Sequence, residues 1–166
     1  MHKNDAQIHL RKVDGKNVWE LVELQVREDQ REFVASNTVS ILEAYTTLAA
    51  GGHVLPFGVY DGEAPVGFLM IGYDCTDWED APEIAAGNYC LWRLMIDERY
   101  QGQGLGKSAM ELALAFIRTM PCGKAERCWL SYEPENAAAR TLYQSFGFRE
   151  TGEMDGREVI SALSLE

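Results

Sequence analysis

Leu94–Met110 reads LMIDERYQGQGLGKSAM. Its first residues close a near-continuous apolar run, YCLWRLMI from Tyr89 to Ile96. That is the pattern of a central strand buried on both faces. Its last residues open SAMELALAFIRTM from Ser108, apolar almost all round, which predicts a buried helix ended by Pro121. Between them stand Gly102, Gly104 and Gly106, then Lys107 and Ser108. Glycines let a backbone turn tightly and approach a ligand closely. A helix start just beyond them adds free N–H groups and the positive end of its dipole. The stretch is therefore built to cradle a phosphate.

Which phosphate follows from the spacing. A triphosphate loop, GxxxxGK[ST], would need glycine where Gln101 stands. A dinucleotide fingerprint, GxGxxG, matches Gly102 and Gly104 but then meets Lys107. The pattern QxxGxG is met in full by Gln101, Gly104 and Gly106.

Working outward, Gln7–Val13 alternates as a strand and Asp14-Gly15 turns the chain. A helix is predicted from Asn17 through Leu24, then a charged loop over Gln25–Glu32. A second helix follows from Asn37 through Ala50, with Val39, Ile41, Leu42, Tyr45 and Leu48 apolar and Gly51-Gly52 closing it. VLPFGVY and PVGFLMIGY, joined at Asp61-Gly62, form a hairpin. An acidic, polar stretch, Asp74–Asn88, precedes the central strand and reads as a surface loop. After the buried helix come a strand at Arg127–Tyr132 and a helix over AAARTLYQSF. Asn136 suits the N-cap of that helix and Gly147 its C′ position. Phe148–Glu153 and Glu158–Leu165 make a closing hairpin. The order β-α-α-β-β-β-α-β-α-β-β predicts a mixed α/β sheet with helices on both faces, in one domain over residues 1–166.

At this point the chain resembles a known family. LMIDERYQGQGLGKSAM is similar to the acetyl-coenzyme A signature of the Gcn5-related N-acetyltransferases. NAAARTLYQSFGF, from Asn136 to Phe148, is similar to that family's second signature. DQREFVASNTVSILEA, from Asp29 to Ala44, resembles the bacterial spermine/spermidine acetyltransferase branch. The resemblance implies a mostly antiparallel, V-splayed central sheet. It implies acetyl transfer from acetyl-CoA to an amine, by direct attack in a ternary complex, and a homodimer.

The same resemblance assigns residues. The backbone of Gln101, Gly102, Gln103, Gly104, Leu105, Gly106 and Lys107 would hold the pyrophosphate. Leu94, Met95 and Ile96 would pair their backbone with the pantetheine arm, and they read equally as buried core. Asn136 would contact the arm, or serve only as an N-cap. Tyr143 would protonate the leaving thiolate. By spacing it also lies on an apolar stripe with Ala139, Leu142 and Phe146. The acceptor would sit among Asp29, Glu32, Phe33 and Trp92, with Glu43 and Tyr45 nearby. Carboxylates beside aromatic faces suit a long cation, such as a polyamine; acids on exposed helix faces also serve solubility. No base is singled out, although Glu98 and Glu133 flank the two signatures. His2, His9 and His53 read as surface residues.

The formal net charge is −11, which argues against a nucleic-acid partner; it is compatible with drawing in a cationic amine, and an acidic surface that serves only solubility accounts for it as well. Neither a signal peptide nor a bilayer-length apolar run is expected, so no membrane partner is. The four cysteines, Cys75, Cys90, Cys122 and Cys128, lack CxxC spacing, which predicts free thiols in the cytoplasm and no metal site. Within enzymes, the acceptor could instead be a protein N-terminus, a drug or a small metabolite. Outside them, the rival is a regulatory module that binds coenzyme A without catalysis.

Overall fold

The computed structural model describes residues 7–166, so His2 lies outside the described residues. Among the described residues, seven strands and four α-helices follow one another in the predicted order. They are β1 (Ile8–Lys12), α1 (Val18–Val22), α2 (Asn37–Ala49), β2 (His53–Asp61), β3 (Ala64–Tyr73) and β4 (Tyr89–Ile96). Then come α3 (Leu105–Ile117), β5 (Arg127–Tyr132), α4 (Ala137–Ser145), β6 (Arg149–Asp155) and β7 (Glu158–Ser164). The charged loop after α1 contains a 3₁₀ turn at Glu28–Gln30.

The sheet runs β1-β2-β3-β4-β5-β7-β6 and is antiparallel except where β4 meets β5. That parallel pair has only two rungs, Tyr89 with Cys128 and Cys90 with Trp129. Beyond them the two strands diverge, which is the expected V. On its other side β4 stays paired with β3 to Ile96, with a bulge at Trp92, since Met70 faces Arg93 while Ile71 faces Leu91. A bulge bends and twists the strand that carries it, so β4 leans away from β5 while keeping its β3 partner.

Helices cover both faces. One core packs the sheet on α3 and α4, with Leu91, Leu105, Met110, Ile117, Leu130 and Phe148 buried in it. A second lies under α1 and α2, around Leu21, Tyr60, Phe68, Met70 and Met95. Burying one such side chain is worth about 1.5–3 kcal/mol against leaving it in water.

Helix ends follow local chemistry. Asn136 caps α4, its side-chain oxygen accepting the Ala139 N–H at 3.2 Å, and Gly147 follows the helix at φ 94°. Three helix boundaries differ from the sequence expectation by more than one residue. α3 starts at Leu105, so Lys107 and Ser108 lie in its first turn. It also stops at Ile117, short of Pro121, because Met120 turns to φ 53° before the proline is reached. α1 ends at Val22, and Leu24, expected on the helix, is buried just beyond it.

The larger surprise is α2. Its inward face is Asn37, Ser40 and Ala44, while Val39, Leu42, Tyr45 and Leu48 are exposed by 47, 59, 70 and 52%. Small and polar residues let α2 sit close to its neighbours. Asn37 Nδ2 donates to the Leu21 carbonyl at 2.8 Å, and the Ser40 hydroxyl to the Ser36 carbonyl at 3.1 Å.

Candidate active site

A cleft of about 900 Å³ opens where β4 and β5 part. One end is the glycine loop. Gly102 and Gly104 adopt φ 76° and 78°, the left-handed region that glycine takes without strain. A Cβ on either would meet no protein atom within 4 Å, so the loop presents bare backbone to open space. The Ser108 N–H is the donor to the Gly104 carbonyl, at 3.2 Å, that begins the α3 ladder. The N–H groups of Leu105, Gly106 and Lys107 ahead of it therefore have no carbonyl inside the helix.

Two side chains hold this loop. Gln101 Nε2 donates to Gln30 Oε1 at 2.8 Å and to the Ile96 carbonyl at 2.9 Å. Asp97, 2% exposed, accepts from the Gln25 N–H at 3.0 Å, the Arg99 N–H at 3.0 Å and Arg99 Nε at 2.7 Å. Burial alone would raise the Asp97 carboxyl. Arg99 and the two backbone donors outweigh it and hold the group below its ordinary value.

The middle of the cleft is walled by Leu94, Met95 and Ile96 of β4 and faced by Asn136 and Tyr143 of α4. Asn136 caps α4 and also lines the cleft. Tyr143 is half-buried and packs against the core, yet its hydroxyl has no hydrogen-bond partner among the described residues. Burial raises the Tyr143 phenol, and the Cys90 thiol, the Glu158 carboxylate and Tyr132 raise it further. It therefore stays protonated across the neutral range.

The far end joins residues from five places. Glu32 and Phe33 precede α2; Trp78 comes from the acidic loop; Trp92 lies on β4; Trp129 lies on β5. Asp155 and Glu158, at the β6–β7 turn, complete it. Glu158 accepts the Ser131 hydroxyl at 2.9 Å. Burial, chiefly, raises both Asp155 and Glu158. Trp129 is 3% exposed and its indole N–H has no acceptor among the described residues. Glu43 also lines the cleft but is paired with Arg93 at 3.0 Å.

Several expected residues stand elsewhere. Asp29 is exposed beside Arg27 at 3.4 Å and does not line the cleft, because the 3₁₀ turn carries it outward before Glu32 and Phe33 turn in. Tyr45 points to solvent. Gln103 and Lys107 are exposed and off the cleft wall; Leu105 and Ala109 take the core side of the α3 start, leaving Lys107 outward. His9 and His53 do not line the cleft, nor does Glu98, whereas Glu133 does. Trp78, Trp129, Asp155 and Glu158 carry no sequence signal beyond their residue types. Only the sheet order, with β7 beside β5, brings the last two to this wall.

The acetyltransferase (GNAT) family model matches residues 18–148. A spermine/spermidine N(1)-acetyltransferase of Bacillus subtilis (strain 168) is 32% identical over 148 residues, 89% of this chain and 91% of that protein. The [ribosomal protein bS18]-alanine N-acetyltransferase of Escherichia coli (strain K12) is 28% identical over 78% of this chain and 98% of its own. Among solved structures, aminoglycoside acetyltransferase AAC(6')-Ib in complex with coenzyme A superposes with a TM-score of 0.76 at 16% identity, covering 95% of this chain and 94% of that one. That likeness bears on the fold. A glycine cradle, a strand parted from its neighbour and a family match over most of the length agree, and the chain belongs to the acetyltransferase (GNAT) family, as an N-acetyltransferase that uses acetyl-CoA.

Proposed function

We propose that the acceptor is a primary amine of a polyamine such as spermidine or spermine. The observation that carries this is the far end of the cleft. Two half-buried carboxylates, Asp155 and Glu158, stand there with Trp78, Trp92 and Trp129. An aliphatic polycation offers methylene segments to indole faces and ammonium groups to carboxylates. Its spaced charges suit carboxylates that burial leaves unwilling to stand alone. The 32% identity to a spermine/spermidine acetyltransferase supports the same reading.

The cosubstrate fits the rest. The N–H groups of Gly102 to Gly106 would take the pyrophosphate, and the parted edge of β4 at Leu94 and Met95 would pair with amides of the pantetheine arm. The Ile96 carbonyl is already taken by Gln101. With both substrates in one cleft, the amine would attack the thioester carbon directly, and Tyr143 would give its proton to the departing sulfur. Four free cysteines suit a reducing cytoplasm, and the apolar face of α2 suits a second copy of the chain.

The test is thiol release with a panel of amines: spermidine, spermine, an alanine-terminated peptide and an aminoglycoside. Polyamines should exceed the others in kcat/KM by about tenfold or more, the scale of one good charged contact. Turnover of another amine with neither polyamine accepted would overturn the reading. The E. coli relative makes the peptide the serious competitor.

A further inference from the structure

We propose that Glu158 is the general base of the transfer, taking a proton from the attacking amine. This rests on the cleft assignment above but not on which amine enters it.

Topology brings the carboxylate to the cleft. β5 has β4 on one side for only two rungs, and β7 on the other along its whole length, from Arg127 opposite Ser164 to Tyr132 opposite Val159. Where β5 leaves β4, its free flank opens into the cleft, and β7 is the nearest strand behind it. Glu158 starts β7 at this point, and its Oε2 accepts the Ser131 hydroxyl at 2.9 Å. That bond fixes one carboxylate oxygen and leaves the other for a ligand.

Charge selects among the carboxylates. Of the acids lining the cleft, Glu158 is the one whose charge opposes ionisation of Tyr143. An acid and a base that sense each other across one opening are the pair an acyl transfer needs. Glu43 is neutralised by Arg93 at 3.0 Å, and Glu32 is exposed. The groups acting on Glu158 are Ser131 on β5, Asp155 on β6, Arg93 on β4 and Glu133 past the end of β5. Burial acts most strongly and raises it, the direction that makes a carboxylate a better base.

The protons balance. The amine arrives as an ammonium and loses two protons in becoming an amide. The first passes to Glu158 and on to solvent, freeing the nitrogen lone pair. The N–C bond then forms, the C–S bond breaks with its electron pair going to sulfur, and Tyr143 protonates that sulfur. The second ammonium proton replaces the one Tyr143 gave. One proton is released per turnover.

The experiment compares wild type with Glu158→Gln, Glu158→Asp, Asp155→Asn and Glu133→Gln, on whichever amine the wild type turns over fastest. Choosing the amine this way means that a wrong acceptor class changes the reagent and leaves the comparison of variants intact. For Glu158→Gln, kcat should fall by roughly 10²–10⁴, the range of a general base, a loss larger than the rise in KM for the amine, which Asp155 still helps to hold. Its kcat/KM should lose the acidic limb of the wild-type pH profile and recover as pH rises toward the free-amine range. Glu158→Asp should restore part of the rate. Calorimetric affinity for acetyl-CoA should not change, and the thermal midpoint at neutral pH should not drop, because burial disfavours the charged form. A raised KM with kcat retained would make Glu158 a cation anchor and overturn the proposal. So would an acidic limb that survives in Glu158→Gln and vanishes in Glu133→Gln or Asp155→Asn.

Discussion

Tyr143 and Asp97 show how differently two single residues report themselves. Tyr143 is legible from its motif, although its spacing reads as core, and the structure allows both: ring packed, hydroxyl unpartnered among the described residues. Replacing it with Phe removes the oxygen and little else. Turnover should fall by roughly 10²–10⁴, with KM for acetyl-CoA and the unfolding midpoint near wild type; steady-state kinetics and thermal melts check this. Asp97 sits in the middle of the opening signature and gives no such sign, because a carboxylate's partners are not written in its neighbours. It ties the Gln25 segment and Arg99 to the loop from a buried position. Its carboxyl is held below the ordinary 3.8. A depressed folded-state value adds stability that is present above the unfolded value and lost as pH falls through the folded one. Asp97→Asn should therefore cost roughly 1–3 kcal/mol at neutral pH, as for a charged group with buried donors. The gap to wild type should close below pH 3.8, as urea titrations across pH would show.

At the scale of elements, the sequence was most informative where period and punctuation agree. β4 and β5 begin and end where their apolar runs do, and α4 is bracketed by Asn136 and Gly147. It was least informative at the start of α3. The glycines read as loop and the apolar helical run begins at Ser108, yet α3 is helical from Leu105 because Leu105 and Ala109 bury together in the core. The divergence of β4 from β5 had no local signal, since it depends on where a parallel ladder between distant segments stops. The glycine cradle is the element to test. Gly104 precedes α3 at φ 78° with open space beyond it. Gly104→Ala should lose about 1–2 kcal/mol of stability from the left-handed conformation alone. Its affinity for acetyl-CoA should fall by about tenfold or more, because a methyl group stands where phosphate oxygens approach. Calorimetry beside chemical denaturation separates the two losses. A variant that binds acetyl-CoA as wild type does would move the pyrophosphate away from this loop.

At the scale of the whole molecule, element order and fold class could be read from the sequence, but the two sides of α2 could not. Helical spacing told which residues share a face and left open which face meets the protein. Asn37, Ser40 and Ala44 meet it. The outward side, Val39, Leu42, Tyr45 and Leu48, carries no charge, and the charged residue of α2, Glu43, is turned toward Arg93. In a chain of net charge −11, two copies repel wherever they meet. An uncharged apolar helix is the surface on which that repulsion is least and apolar burial greatest. A two-fold axis through α2 would set the same side chains against themselves, as an isologous contact requires. We expect the chain to sediment at twice its 18.6 kDa, and the dimer to tighten from low to moderate salt as screening weakens the repulsion. Leu42→Asp with Tyr45→Glu adds four like charges to a two-fold contact, two from each copy. It should shift the protein to a monomer without altering its melting curve at low concentration, since both side chains already face water. A wild type that sediments as a monomer at high concentration, or a double variant that remains a dimer, would take the interface away from α2.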